Sequence, residues 1–402
     1  MTRDSEPSSE IASRRKFLGM VSGAVGAVGL AGCSGGGDGG GGSEPETVVK
    51  TRTVVKTQSG SGQSTAQSME DEGPSMLTAE GSSTVYPISN KGSSYWNSNA
   101  PPSDGEYWGS SSEGTVPGWG EIETDKRIAD YFAGLYGFEA TDQQSTPPFP
   151  TSVGLSHSGT GCKAVRDGLV DIGNSSGPIT AELDISESEA EENFVDHVVG
   201  RDGQPVVVSA DIYEAGVTQL TGEQIRQIYQ DEITNWSEVG GPDQEIYVVG
   251  RAEGSGTDTA FRLNMLGDAD APMPGIDTRK GQNQQVAQVV QQNDGAIAYM
   301  ALAFTNEQVR PIAIDFEGTV YKPDKSAQHT IFDSDYPLNR DLHMYTKITE
   351  EVPSGTDKRE AAFLNMFLTS FGQQVFVEDV NYIPLPTKDI EAEKSKLPEP
   401  SM

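Results

Sequence analysis

Arg251 stands four residues before Ser255-Gly256-Thr257, in the stretch GRAEGSGTDTAFR at residues 250–262. The arginine offers a permanent charge and a fork of donors. The serine, the threonine and the amides of a helix start add neutral donors. Together they suit a tetrahedral oxyanion. A structural salt bridge from Arg251 to Glu253 is the competing reading of the same residues. Two other stretches set hydroxyls beside glycine. In EGSSTVYPIS, residues 80–89, Ser83 and Thr84 follow a glycine turn and lead through Val85 into a helix, a pattern shared with ordinary helix caps. In SHSGTGCKAVRDGLVDIGNSSGPIT, residues 156–180, Ser158 opens a helix expected to reach Gly168, and a strand over 170–173 delivers Asn174, Ser175 and Ser176. Ligands of open α/β sheets sit beyond the carboxyl ends of the strands, so this unit aims a helix start and a strand end at one space.

The elements that position these residues are legible around them. DIGNSS, QPVVVSADIY, EIYVVGR, GAIAYMAL and RPIAI read as buried strands. Ile128, Tyr131, Phe132, Leu135 and Tyr136 share one helical face. Thr221 and Gln224 make a capping box ahead of the apolar face Ile225, Ile228 and Tyr229. Phe363, Met366, Phe367 and Phe371 make a further face. Strands alternating with helices predict an α/β architecture with largely parallel sheets. Residues 89–127, with Trp96, Trp108 and Trp119 among Gly, Ser and Pro, read as a long lid or surface insertion.

The chain has 402 residues, with 28 Lys and Arg against 60 Asp and Glu, a net charge of −32. Such a surface repels nucleic acid, and its self-repulsion is best tolerated in strong brine. It does not exclude an anion site, because one arginine with local dipolar donors suffices. Arg14-Arg15 followed by a weakly apolar Gly/Ala/Val run fits a twin-arginine export signal over 1–32. Leu30-Ala31-Gly32-Cys33 resembles a lipobox, which implies lipid on Cys33 and leaves Cys162 without a disulfide partner. Residues 33–76 are too polar to fold and read as a flexible tether. Residues 387–402 read as a flexible tail.

The three hydroxyl-rich motifs occur in order with LTGEQIRQIYQDEITNWSEVGG, GAIAYM and NYIPLP, and the chain therefore resembles the phosphate-binding protein of the phosphate ABC transporter. The resemblance covers about 77–386. It implies a two-lobed periplasmic-binding-protein-like (type II) α/β fold with the ligand cleft between lobes, one lobe from 77–203 plus 305–386 and the other from 204–304. It implies phosphate contacts from Ser83, Thr84, Val85, Ser158, Ser176, Arg251, Ser255, Gly256 and Thr257. Ser176 stands where some relatives place an aspartate. The implied partners are inorganic phosphate, permease subunits and, through Cys33, the outer face of the cell membrane. Another oxyanion (sulfate, tungstate or molybdate) and a tethered phosphate sensor are the alternatives. Catalysis is not expected. GLSHSG at 154–159 puts Ser158 where a G-x-S-x-G elbow needs glycine, and GRAEGSGT lacks the lysine of an NTPase loop. No His or Cys cluster points to a metal, and no cofactor is expected.

Overall fold

The computed structural model describes residues 74–108, Ile122 and residues 124–401. The twin-arginine segment, Cys33 and most of the tether lie outside the described residues. Thirteen strands are described: β1 (Leu77–Ser82), β2 (Thr151–Ser156), β3 (Ile172–Ser175), β4 (Phe194–Asp202), β5 (Val206–Ser209), β6 (Gln219–Thr221), β7 (Tyr247–Arg251), β8 (Thr278–Lys280), β9 (Ala296–Tyr299), β10 (Val309–Pro311), β11 (Ala313–Phe316), β12 (Thr319–Tyr321) and β13 (Arg340–Lys347). One sheet runs β2-β1-β3-β13-β4 and a second runs β10-β5-β9-β7-β8. A small sheet, β12-β11-β6, adjoins in sequence. The first sheet is parallel through β1, β2 and β3, with β13 antiparallel to both β3 and β4. The second is parallel through β7, β8 and β9 and antiparallel where β5 meets β9 and β10. The sheets are thus mixed, and the parallel halves are those that carry the hydroxyl-rich motifs.

Several helices form where the periodicity places them. Thr221 and Gln224 close a capping box over Gly222–Tyr229, at 2.9 and 3.1 Å. Ile128–Gly134 and Lys358–Phe367 bury their apolar faces together with Trp96 and Phe149. Each five-stranded sheet is the centre of one body, and in the second body Phe261 stacks on Tyr299, centroids 3.9 Å apart, behind the end of β7.

Three expectations change. Residues 89–98 are not loop: Tyr86–Ser98 is a helix. Its inward face is partly polar, with Ser93 bonded to the Thr151 hydroxyl at 2.7 Å and Asn97 bridging the Thr151 amide and carbonyl at 2.9 and 2.8 Å. Trp96 is fully buried against Phe149 and Phe363, so it belongs to the core and not to a lid. Trp119 lies outside the described residues. The chain does not leave the second body near Phe304, since β10 pairs with β5 and β11 with β6, which keeps 309–321 on that side. Nor are residues 387–402 a loose tail. Thr387–Lys394 is a helix whose Asp389 pairs with Arg201 at 2.8 Å and whose Glu393 accepts the Val198 amide at 3.0 Å.

Candidate functional site

The three hydroxyl-rich stretches meet. From the first body, Ser82 at the end of β1 donates to Ser176 at 3.0 Å, and the Ser176 amide donates to the Ser158 hydroxyl at 3.1 Å. From the second, Arg251 ends β7, and Ser255 is the N-cap residue of the helix Gly256–Phe261. The two sets touch: Arg251 Nη2 donates to Ser83 Oγ at 3.2 Å, and the Thr84 and Thr257 hydroxyls lie 3.1 Å apart. Ser83, Thr84, Ser158, Ser176, Arg251, Ser255, Gly256 and Thr257 are all buried there. Val85 turns its side chain into the apolar core and leaves only backbone for the cluster. The Ser255 hydroxyl is buried and has no hydrogen-bond partner, which is unusual for a group that needs one.

Arg251 brings a charge with no ion-pair partner to this cluster. It does not pair with Glu253, which is exposed. Its guanidinium donates to Lys280 O at 3.3 Å, Asn283 Oδ1 at 2.7 Å, Ser83 Oγ at 3.2 Å and Gly281 O at 2.7 Å. Every acceptor is neutral. Asp258 is already taken by Arg262, Arg279 and the Tyr299 hydroxyl. Burial, and then the nearby Arg340 guanidinium, lower Arg251 to about 10, so it remains charged at neutral pH. A buried cation with only neutral partners is costly until an anion joins it.

Sequence reasoning missed three members of this cluster. Asn283, first residue of the helix Asn283–Gln292, donates to Ser83 Oγ and Thr84 Oγ1, both at 3.1 Å. Arg340, first residue of β13, reaches Thr257 Oγ1 at 3.2 Å and Gly256 O at 3.1 Å. Tyr382, in the terminal NYIPLP stretch, donates to Thr84 O at 2.8 Å and so sets the first loop. Ser158 has no base: its hydroxyl partner is Ser176, and the Nδ1 of His157 is buried without a partner. Among the described residues no cluster of His, Cys, Asp or Glu is arranged to hold a metal. A cavity of about 520 Å³ lies elsewhere, on the first body beside Tyr345. Glu187, Glu191 and Asp196 against Lys396 make its lining net acidic, the wrong sign for an oxyanion.

Glu182 lies where the bodies meet. It packs beside Gly159 and Gly177, and its Oε1 is buried without a hydrogen-bond partner. Burial raises it from 4.5 to about 7, against the pull of Thr259, Arg340 and Lys163. An acid raised on folding contributes stability that is full below its unfolded pKa and lost as pH rises through the folded one. The thermal midpoint of the ligand-free protein should therefore fall across about pH 4.5 to 7, and Glu182→Gln should flatten that fall. Melting curves over this range check it, and an unchanged slope in the variant refutes it.

Comparison with known proteins gives a consistent answer. The PBP superfamily domain matches residues 139–369. The phosphate-binding protein PstS of Bacillus subtilis is 31% identical over 247 residues, covering 60% of this chain and 73% of that protein. Its counterpart in Staphylococcus saprophyticus is 26% identical over 252 residues, covering 61% and 75%. A substrate-binding protein from Clostridium perfringens, solved with bound phosphate, superposes with a TM-score of 0.55 at 20% identity, over 77% of this chain and all of that one, and so shares the fold. With the domain match spanning more than half of the sequence, the chain belongs to the PBP superfamily and, within it, to the PstS family of phosphate-binding proteins.

Proposed function

We propose that this protein captures inorganic phosphate between its two lobes, closes over it by a hinge, and presents it to the permease of an ABC transporter. The observation that carries this reading is Arg251, buried, charged and bonded only to neutral acceptors, where hydroxyls from both lobes converge. Dipolar donors hold an anion firmly yet allow release, as a carrier requires. The phosphate-binding names of the relatives, and the absence of a base beside Ser158, support a carrier over an enzyme. We place the lobe crossings around Gln204 and after Tyr321. In the same reading residues 1–32 direct export by the twin-arginine route, Cys33 carries a lipid on the outer face of the membrane, and the acidic surface serves a life in brine. Among the described residues no helix is long and apolar enough to cross a membrane.

A second reading, another tetrahedral oxyanion, draws on Ser176, whose hydroxyl has serine partners at Ser82 and Ser158. Titration calorimetry in several molar KCl with phosphate, sulfate and tungstate in separate runs decides. Phosphate should bind with a Kd of about 1 μM or tighter. Heat from sulfate or tungstate alone would replace the ligand, and silence from all three would sink the carrier reading.

A further inference from the structure

The cleft holds two buried arginines, and their surroundings differ. Arg251 has neutral partners throughout. Arg340 is matched to a carboxylate: its Nε and Nη2 donate to Asp202 Oδ2 at 3.0 and 2.6 Å, and the Asp202 side chain is fully buried. Its remaining donor capacity is committed to protein. Nη1 serves Ser176 O at 3.3 Å and Gly256 O at 3.1 Å, while Nη2 also reaches Thr84 Oγ1 at 3.4 Å and Thr257 Oγ1 at 3.2 Å. A guanidinium has five N–H groups, and none is left over for a ligand.

The partners of Arg340 come from both lobes. Asp202, Thr84 and Ser176 belong to the first, and Gly256 and Thr257 to the second. Asp202 also accepts the Leu302 amide at 2.9 Å, and Gln204 Nε2 donates to Thr257 O at 2.6 Å, so the pair sits beside the strand that crosses between lobes. Opening the cleft would keep the Arg340–Asp202 pair and break the bonds to Gly256 and Thr257.

We infer that Arg340 is a positioning residue that fastens the closed state. Resting on the phosphate reading above, it acts on the ligand through Thr84, Thr257 and Gly256, while Asp202 cancels its charge and leaves Arg251 as the arginine that attracts the anion. This divides two tasks between two arginines: Arg251 governs capture, and Arg340 governs how long the cleft stays shut. Affinity changes of the second kind appear in the dissociation rate.

Removing Arg340 alone would strand a buried carboxylate and jeopardise folding. The informative variants are therefore Arg340→Lys, which keeps the charge but loses the fork, and the double variant Arg340→Gln/Asp202→Asn, which removes both charges at similar volume. The experiment combines stopped-flow phosphate binding with small-angle scattering of the whole protein, with and without phosphate, and thermal melts to verify folding. In both variants phosphate should dissociate about tenfold faster or more, with the association rate within about threefold of wild type. At saturating phosphate the variants should also fail to reach the compact wild-type radius of gyration. Wild-type dissociation and compaction in folded variants would overturn the inference. So would a loss confined to association, which would make Arg340 an anion attractor. No phosphate response from the wild type would overturn the phosphate reading, and this inference with it; a wild-type response with unchanged variants overturns this inference alone.

Discussion

Arg251→Ala is expected to lose phosphate affinity by about two to three orders of magnitude, close to 3–4 kcal/mol. Hydrogen bonds from a charged donor contribute about 1.5–3 kcal/mol each, and the variant loses the fork and the charge together. No neighbour replaces it. Arg340 is paired with Asp202, and Arg262 and Arg279 are both held by Asp258, away from the hydroxyls that Arg251 bonds. Folding should be affected far less, because Asn283 keeps its bonds to Ser83, Thr84 and the Ala301 amide when the guanidinium goes. Arg251→Lys should fall between the two, since an ammonium keeps the charge without the geometry that serves Ser83, Asn283 and Gly281 at once. Calorimetry on the three proteins tests this. Equal affinity of Arg251→Ala and wild type would remove the arginine from the site.

Gly256→Ala should weaken binding by about 10- to 100-fold while leaving the ligand-free melting temperature in place. A Cβ on Gly256 would come within 2.5 Å of Ser158 Oγ, 2.7 Å of the Gly177 amide nitrogen and 2.9 Å of the Ser176 carbonyl carbon. All three atoms lie in the first lobe and Gly256 in the second. The clash is felt only when the lobes approach, so a methyl group here acts as a doorstop. Gly161→Ala is the internal control. Its Cβ would meet Glu80 O at 2.6 Å, Gly81 Cα at 2.7 Å and Asn174 O at 2.9 Å, all within one lobe. That variant should melt early whether phosphate is present or not. If Gly256→Ala lowers the ligand-free midpoint as much as Gly161→Ala does, the doorstop argument fails.

The parts of the candidate site that were legible share a grammar. Ser158, Ser176, Arg251 and Thr257 each stand where a strand end or helix start coincides with glycine and hydroxyl residues, and such places expose backbone donors. Arg340 has none of these signals. It opens an antiparallel strand in NRDLHMY, and its role depends on Asp202, which only the sheet order brings beside it. Asn283 is hidden in the polar run GQNQQ, where one amide looks like the next. The fold class was readable from alternating apolar runs. The helix Tyr86–Ser98 was not, because part of its buried face is serine and asparagine bonded to β2, which breaks the apolar period. The C-terminal helix escaped for a related reason: an ion pair and a buried glutamate help to dock it.

The position of β13 bears on how the chain is made. The second lobe is nearly continuous in sequence, so its strands β5 to β12 leave the ribosome as one block and can pair at once. The first lobe begins earlier yet must wait, because β13 lies between β3 and β4 in its sheet. Until residue 347 has emerged, β3 pairs only with β1 and nothing joins β4 to the sheet, and Ser83, Ser158 and Ser176 sit on a half-built sheet. The segment synthesised first is thus completed last, and the strand that completes it begins with Arg340.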